Sequence, residues 1–123
     1  MSDTYTIGKK LVEFCNAGKE YEGLKTLYAP NAISYEPMEG PNQVCEGVEA
    51  ITAKHDWWNE NTIVHASNAT GPFPYGDRFA VIYDMDVTMK HDSSRVKMQE
   101  VGLYSVENGK IIKEEFMYQP NQG

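Results

Sequence analysis

The sequence predicts an α+β domain in which three N-terminal helices pack on one face of a curved, mostly antiparallel sheet. Apolar residues recur at helical spacing up to about Asn61. From Thr62 onward the pattern changes to β-branched runs and strict alternation, and glycine, proline and Asn-Gly signals punctuate both halves. Helices first and strands afterwards is the order of an α+β fold. A chain of 123 residues is expected to form one domain, residues 1–123. It is long enough to bury about two thirds of its unfolded surface.

Each element has its own signal. Asp3 or Thr4 is expected to cap a first helix carrying Ile7, Leu11, Phe14 and Cys15 on one side, with Gly18 as its stop. A second helix carries Tyr21, Leu24, Leu27 and Tyr28 and must end before Pro30. Ile33 to Tyr35 reads as a short strand, and Met38 to Gly47 as a loop marked by Gly40 and Pro41. A third helix runs from Val48 to about Asn61, and its stripe is Val48, Ile51, His55 and Trp58. Thr62 to Thr70 is a β-branched run closed by the turn-forming cluster Gly71 to Asp77. Arg78 to Lys90 alternates, with Phe79, Val81, Tyr83, Met85, Val87 and Met89 on one face and Ala80, Ile82, Asp84, Asp86 and Thr88 on the other. His91 to Ser94 is a turn. Arg95 to Val106 and Lys110 to Tyr118 form a hairpin through Glu107-Asn108-Gly109, because Asn-Gly accepts positive φ. Gln119 to Gly123 reads as a frayed tail.

Composition excludes several classes of function. A net charge of −7 disfavours a nucleic-acid backbone or an anionic membrane as partner, since both need clustered Lys and Arg. Hydrophobic content of 41% and charged content of 24% are those of an ordinary soluble domain, and there is no apolar run of transmembrane length. The start, Met1-Ser2-Asp3-Thr4, lacks the basic region of a signal peptide. Cys15 and Cys45 are too few for a disulfide framework, so two reduced thiols in a cytoplasmic protein are expected. Cys45 lies beside Glu46, an anion that disfavours a reactive thiolate. His55, His65 and His91 are scattered without metal-ligand spacing, and no Walker loop, dinucleotide fingerprint or nucleophile elbow occurs, so neither metal nor cofactor is expected.

The chemistry points instead to a carboxylate. In Leu27-Tyr28-Ala29-Pro30-Asn31-Ala32-Ile33-Ser34-Tyr35-Glu36-Pro37, a β-prone run ends on Glu36, which Pro37 biases toward extended backbone. A carboxylate at a strand end among apolar and aromatic neighbours is where a fold would place a general base. Glu100 and Glu114 fall on strands expected to line the same core.

The order helix, helix, Tyr-Ala-Pro-Asn-Ala strand, Gly47-Val48-Glu49-Ala50-Ile51 helix, and a meander ending Glu107-Asn108-Gly109-Lys110-Ile111-Ile112 resembles the nuclear transport factor 2-like superfamily. Within it the chain is similar to the SnoaL-like and ketosteroid-isomerase-like branch, over roughly Thr4 to Tyr118. The resemblance implies a cone-shaped fold with a deep apolar pocket under the sheet and a small hydrophobic, carbonyl-bearing ligand. It places Glu36 at the position of the isomerases' general base. Glu100 lies near the position of their protonated acid, one residue out of register, and His55 at that of a supporting tyrosine. Leu11 stands where those isomerases carry the tyrosine of the oxyanion hole, a donor whose loss costs on the order of 3–4 kcal/mol.

The resulting expectation is a cofactor-independent isomerase or cyclase that transfers a proton with Glu36 as base and His55 and Glu100 as polar partners. Leu11, Phe14, Trp58, Val81, Tyr83, Glu114, Phe116 and Tyr118 would line its pocket. A non-catalytic ligand-binding or protein-interaction domain of the same fold is the alternative the residues leave open. A homodimer is expected through the outer sheet face. Alternation, with Glu114, Phe116 and Tyr118 inward, turns Ile111 and Met117 outward, and a register like that of the family the chain resembles implies that Val101, Leu103 and Ile82 join them.

Overall fold

The computed structural model describes residues 2–118. Met1 and the tail from Gln119 to Gly123, read above as frayed, lie outside the described residues. The elements are α1 (Ser2–Asn16), α2 (Glu20–Leu27), β1 (Tyr28–Tyr35), β2 (Val44–Glu46), α3 (Val48–Asn61), β3 (Thr62–Tyr75), β4 (Arg78–Met89), β5 (Arg95–Glu107) and β6 (Lys110–Met117). The six strands make one sheet in the order β2-β1-β6-β5-β4-β3. β1 runs parallel to β6, and all other neighbours are antiparallel. The expected α+β architecture is therefore the observed one.

Local chemistry sets the element ends. α1 closes with the amides of Gly18 and Lys19 turned back to the carbonyls of Cys15 and Phe14, at 3.3 and 2.8 Å, satisfying carbonyls that the helix end would otherwise orphan. α2 lays Leu24 and Leu27 into the core. The β5–β6 hairpin turns on Asn108 and Gly109, with φ of 52° and 75°, the left-handed pair that a two-residue hairpin demands. The core lies between the helices and the inner face of the sheet. Its largest pieces are Phe79 and Tyr104, stacked with ring centroids 4.9 Å apart. Gly102, between Val81 and Phe116 on the neighbouring strands, makes room for that stack: a Cβ there would lie 2.8 Å from the Tyr104 ring.

Several boundaries depart from the sequence reading. α1 starts at Ser2, so Asp3 and Thr4 sit in its first turn and do not cap it; Thr4 is buried. Tyr28 opens β1 instead of closing α2, because its ring is needed in the core and Pro30 cannot continue a helix. The β1–β6 register breaks between Tyr28 and Ile33, across the proline that has no N–H to give. The expected loop from Met38 to Gly47 contains β2, which pairs with Ile33 to Tyr35 and buries Cys45. The cluster Gly71 to Asp77 is mostly strand: β3 continues to Tyr75 past an irregularity between Thr70 and Phe73, and only Gly76 and Asp77 turn.

The clearest correction concerns Ile111. Simple alternation places it on the outer face, yet it is fully buried. The β5–β6 register shifts between Ser105 and Val106, so that Ser105 faces Lys113 and Val106 faces Ile111. The extra residue reverses the side on which Ile111 falls. Ile82, Val101 and Met117 still form one cross-strand row on the outer face, with Asp84 bound by Gln99 and Asp86 by Arg95 beyond it. Ile111→Ala is therefore expected to lower the unfolding free energy in urea by about 2–5 kcal/mol, whereas an outward residue would change it by less than about 1 kcal/mol.

Candidate functional site

The site is built where β1 ends. Alternation turns Ala32 and Ser34 inward, and both are fully buried. Glu36 follows directly after the strand. Its amide donates to the Gln43 carbonyl at 2.7 Å, which fixes the chain before Pro37. α3 crosses above this strand end and, one turn after the buried Ile51, presents Lys54. The ammonium donates to Ser34 Oγ at 2.6 Å and to Glu36 Oε2 at 2.8 Å. The Lys54 and Glu36 side chains are 13% and 21% exposed, so this is a largely desolvated ion pair, not a surface one. The Tyr118 hydroxyl donates to Glu36 Oε1 at 3.0 Å, and the Phe116 ring lies 5.1 Å from Lys54 Nζ.

Two further carboxyls face the same region. Glu114 on β6 stands beside Ser34 in the parallel register and is 1% exposed. The Tyr28 hydroxyl donates to Glu114 Oε1, while Oε2 has no hydrogen-bond partner among the described residues. Burial raises the pKa of Glu114, and the Lys54 charge works against that rise. Glu100 on β5 lies opposite Tyr83 on β4. Its carboxyl is pushed up to about 7, first by burial and then by the charge of Glu36, with Lys54 opposing. Next to it, the Tyr83 and Tyr104 hydroxyls are 2.5 Å apart, and Cys15 Sγ approaches Tyr83 at 4.0 Å. Burial lifts both phenols well above their usual range and the Cys15 thiol to about 11. These groups are neutral hydrogen-bonding partners near neutral pH.

The structure thus joins Glu36 to Tyr118 directly and couples Glu100 and Glu114 to Glu36 through charge. Val81, Tyr83 and Phe116 share the inner sheet face, and buried Leu11 and half-buried Phe14 pack on Gly23 of α2. His55, half-buried on α3, turns its ring edge toward Tyr21 of α2, with centroids 6.2 Å apart. Its pKa is lowered by burial first and by the neighbouring Lys54 charge second. Trp58 is half-buried further along α3. A surface depression lined by residues including Asp84, Met85, Lys97 and Gln99 contains none of these groups.

Sequence reasoning passes over Lys54 and Ser34. The signal for Lys54 was there: Ile51, Lys54 and Trp58 have helical spacing as good as Ile51, His55 and Trp58. A charged residue is simply assigned to the solvent side by default. Among the described residues no group of three His, Cys, Asp or Glu side chains is placed to hold a metal ion, and no helix is long and apolar enough to cross a membrane.

Comparison with known proteins agrees with this architecture. The model of the SnoaL-like domain matches residues 2–118. A candidate SnoaL-like polyketide cyclase from Mesorhizobium loti is 43% identical, with 92% of this chain and 97% of that one covered and a TM-score of 0.89. A candidate SnoaL-like polyketide cyclase from Jannaschia sp. CCS1 shares the fold at 14% identity, with 94% and 85% covered and a TM-score of 0.74. A protein of ketosteroid isomerase-like fold from Catenulispora acidiphila, solved with trimethylamine, does so at 16% identity, with 93% and 85% covered and a TM-score of 0.73. No curated protein matches the chain.

The raised carboxyl gives a pH dependence of stability. Between the ordinary value of 4.5 and about 7, folded Glu100 keeps a proton that the unfolded chain has released. Its contribution to stability therefore falls as pH rises through that interval, and the loss is complete above it. Glu114 shifts in the same direction. Glu100→Gln removes the Glu100 share, so the variant should gain on the parent between about pH 5 and about pH 8. After allowance for partial solvent screening the gain is about 2 kcal/mol. Urea unfolding at the two pH values measures it.

Proposed function

This chain belongs to the SnoaL-like domain family, and we propose that it binds a small hydrophobic carbonyl compound under its curved sheet and moves a proton on it. The reaction would be an isomerisation or a cyclisation carried by the chain's own acid–base groups. One observation carries this reading: two carboxyls face one region in opposite environments. Glu36 is paired with a cation and accepts a phenol hydrogen bond, while Glu100 stands in no ion pair among the described residues and is lifted to about 7. Such a contrast separates a base from an acid. Glu36 takes the proton next to the carbonyl, and Glu100, half protonated near neutral pH, returns one or donates a hydrogen bond to the oxygen.

The candidate cyclases among the structural relatives favour cyclisation over steroid isomerisation, and so does Leu11 in place of the tyrosine donor. His55 serves as a polar partner on the helix side, and Leu11, Phe14, Trp58, Val81, Tyr83, Phe116 and Tyr118 as the wall. The free thiols of Cys15 and Cys45 suit a cytoplasmic setting.

A second copy of the chain is the proposed partner. The row Ile82, Val101 and Met117, extended by Leu103, lies on the sheet face that no helix among the described residues covers. Sedimentation should give twice the 13.9 kDa chain mass, and Met117→Asp should return the monomer.

The catalytic reading is tested by exchange. In deuterated water the protein should accelerate loss of the α-protons of 2-tetralone, followed by NMR, and Glu36→Gln should slow it by about 10²–10⁴-fold. Bound tetralone with no acceleration by the parent protein would mean a binding domain and not an enzyme.

A further inference from the structure

We infer that Lys54 receives the oxygen of the ligand, and that the ligand is an acidic carbonyl compound, a β-dicarbonyl or a phenol, held as its enolate or phenolate. The part played by Glu36 rests on the proton-transfer reading above; the part played by Lys54 rests on its own geometry.

An ammonium group carries three N–H donors. Ser34 Oγ at 2.6 Å and Glu36 Oε2 at 2.8 Å take two of them. Among the described residues no acceptor takes the third, and the Phe116 ring lies 5.1 Å from Nζ. The side chain is only 13% exposed, so the remaining donor sits in a poorly solvated place. A desolvated cation with a spare N–H beside an aromatic wall is a site for an oxygen bearing negative charge.

The chemistry balances around that contact. Glu36 takes a proton from the carbon between two carbonyl groups; the C–H bond breaks and its electron pair becomes the enolate, with the charge on oxygen. Glu36 is then neutral, and its hold on Lys54 weakens as the enolate oxygen gains charge. The ammonium is within hydrogen-bond reach of both anions, so the charge never goes unpaired as it moves. Only the charge that develops during the reaction strengthens the new contact, and this is the kind of interaction that accelerates a step. With a phenol the same transfer runs from O–H to Glu36.

Glu36→Gln reproduces the neutral residue that follows proton transfer and leaves Lys54 without its carboxylate. It should therefore bind 2-naphthol as the naphtholate near neutral pH, read by fluorescence, at least about tenfold tighter than the parent does. Adding Lys54→Met removes the other half of the pair, so no lone charge is left buried to unfold the protein. That double variant should bind 2-naphthol no better than 2-methylnaphthalene, whose affinity should be the same in all three proteins. Naphtholate held equally by the double variant, only neutral naphthol in Glu36→Gln, or no naphthol binding at all would overturn the inference. Exchange of 2-tetralone distinguishes the two readings. Exchange without Lys54-dependent naphtholate binding defeats this inference alone, and Lys54-dependent binding without exchange defeats the proton-transfer reading alone.

Discussion

Much of this structure turns on one buried ammonium. Removing a lysine from water costs several kcal/mol unless partners replace its hydration, and a lone carboxylate costs as much. Lys54 and Glu36 offset each other's desolvation, and they do so between different elements, since Lys54 comes from α3 and Glu36 from the end of β1. Ser34 adds a neutral oxygen from the same strand. The bond therefore ties a helix to the sheet close to the raised carboxyls of Glu100 and Glu114. It also tempers the neighbouring carboxyls, because the Lys54 charge opposes the upward shift of both Glu100 and Glu114.

The sheet supplies the second constraint. β1 lies parallel to β6, an arrangement that no hairpin can produce, and it sets Ser34 beside Glu114 and Tyr35 beside Glu115. One residue of slip would turn Glu114 outward and its neighbours inward. The irregularity near Ser105 prevents a uniform alternation along β6, which lets Ile111 and Glu114 both face the interior although they are an odd three positions apart. Ile111 packs in the core beside Tyr28, its partner in the parallel register, and the Tyr28 hydroxyl reaches on to Glu114.

Element type and order were legible in the sequence because periodicity and turn chemistry are local. α3 from Val48 to Asn61, the alternation of β4 and the Asn108-Gly109 hairpin follow from spacing and φ alone. What could not be read is what depends on pairing across the chain. β2 is three residues long and exists only because β1 offers it an edge. The extra residue that buries Ile111 is defined only by the pairing of β6 with β5. Glu36 was legible through Pro37, a neighbour in sequence. Lys54 had the helical spacing but not the reason to face inward, because the carboxylate that offsets its charge is Glu36, eighteen positions away and visible only in the fold.

The same interaction bears on the hydrogen-bond donor missing at Leu11. A leucine on α1 cannot stabilise a developing oxyanion, and here it is buried against α2 in the core. The Tyr83 and Tyr104 hydroxyls satisfy one another at 2.5 Å, which ties up at least one of their two protons. Tyr28 spends its proton on Glu114, and Tyr118 on Glu36. The phenols that could have replaced the lost donor are thus largely committed to neighbours within the protein. Of the polar groups nearest Glu36, the ammonium of Lys54 is the one with an N–H donor left over among the described residues, so in the proposed reaction the work of the missing hydroxyl would fall on α3 and not on α1.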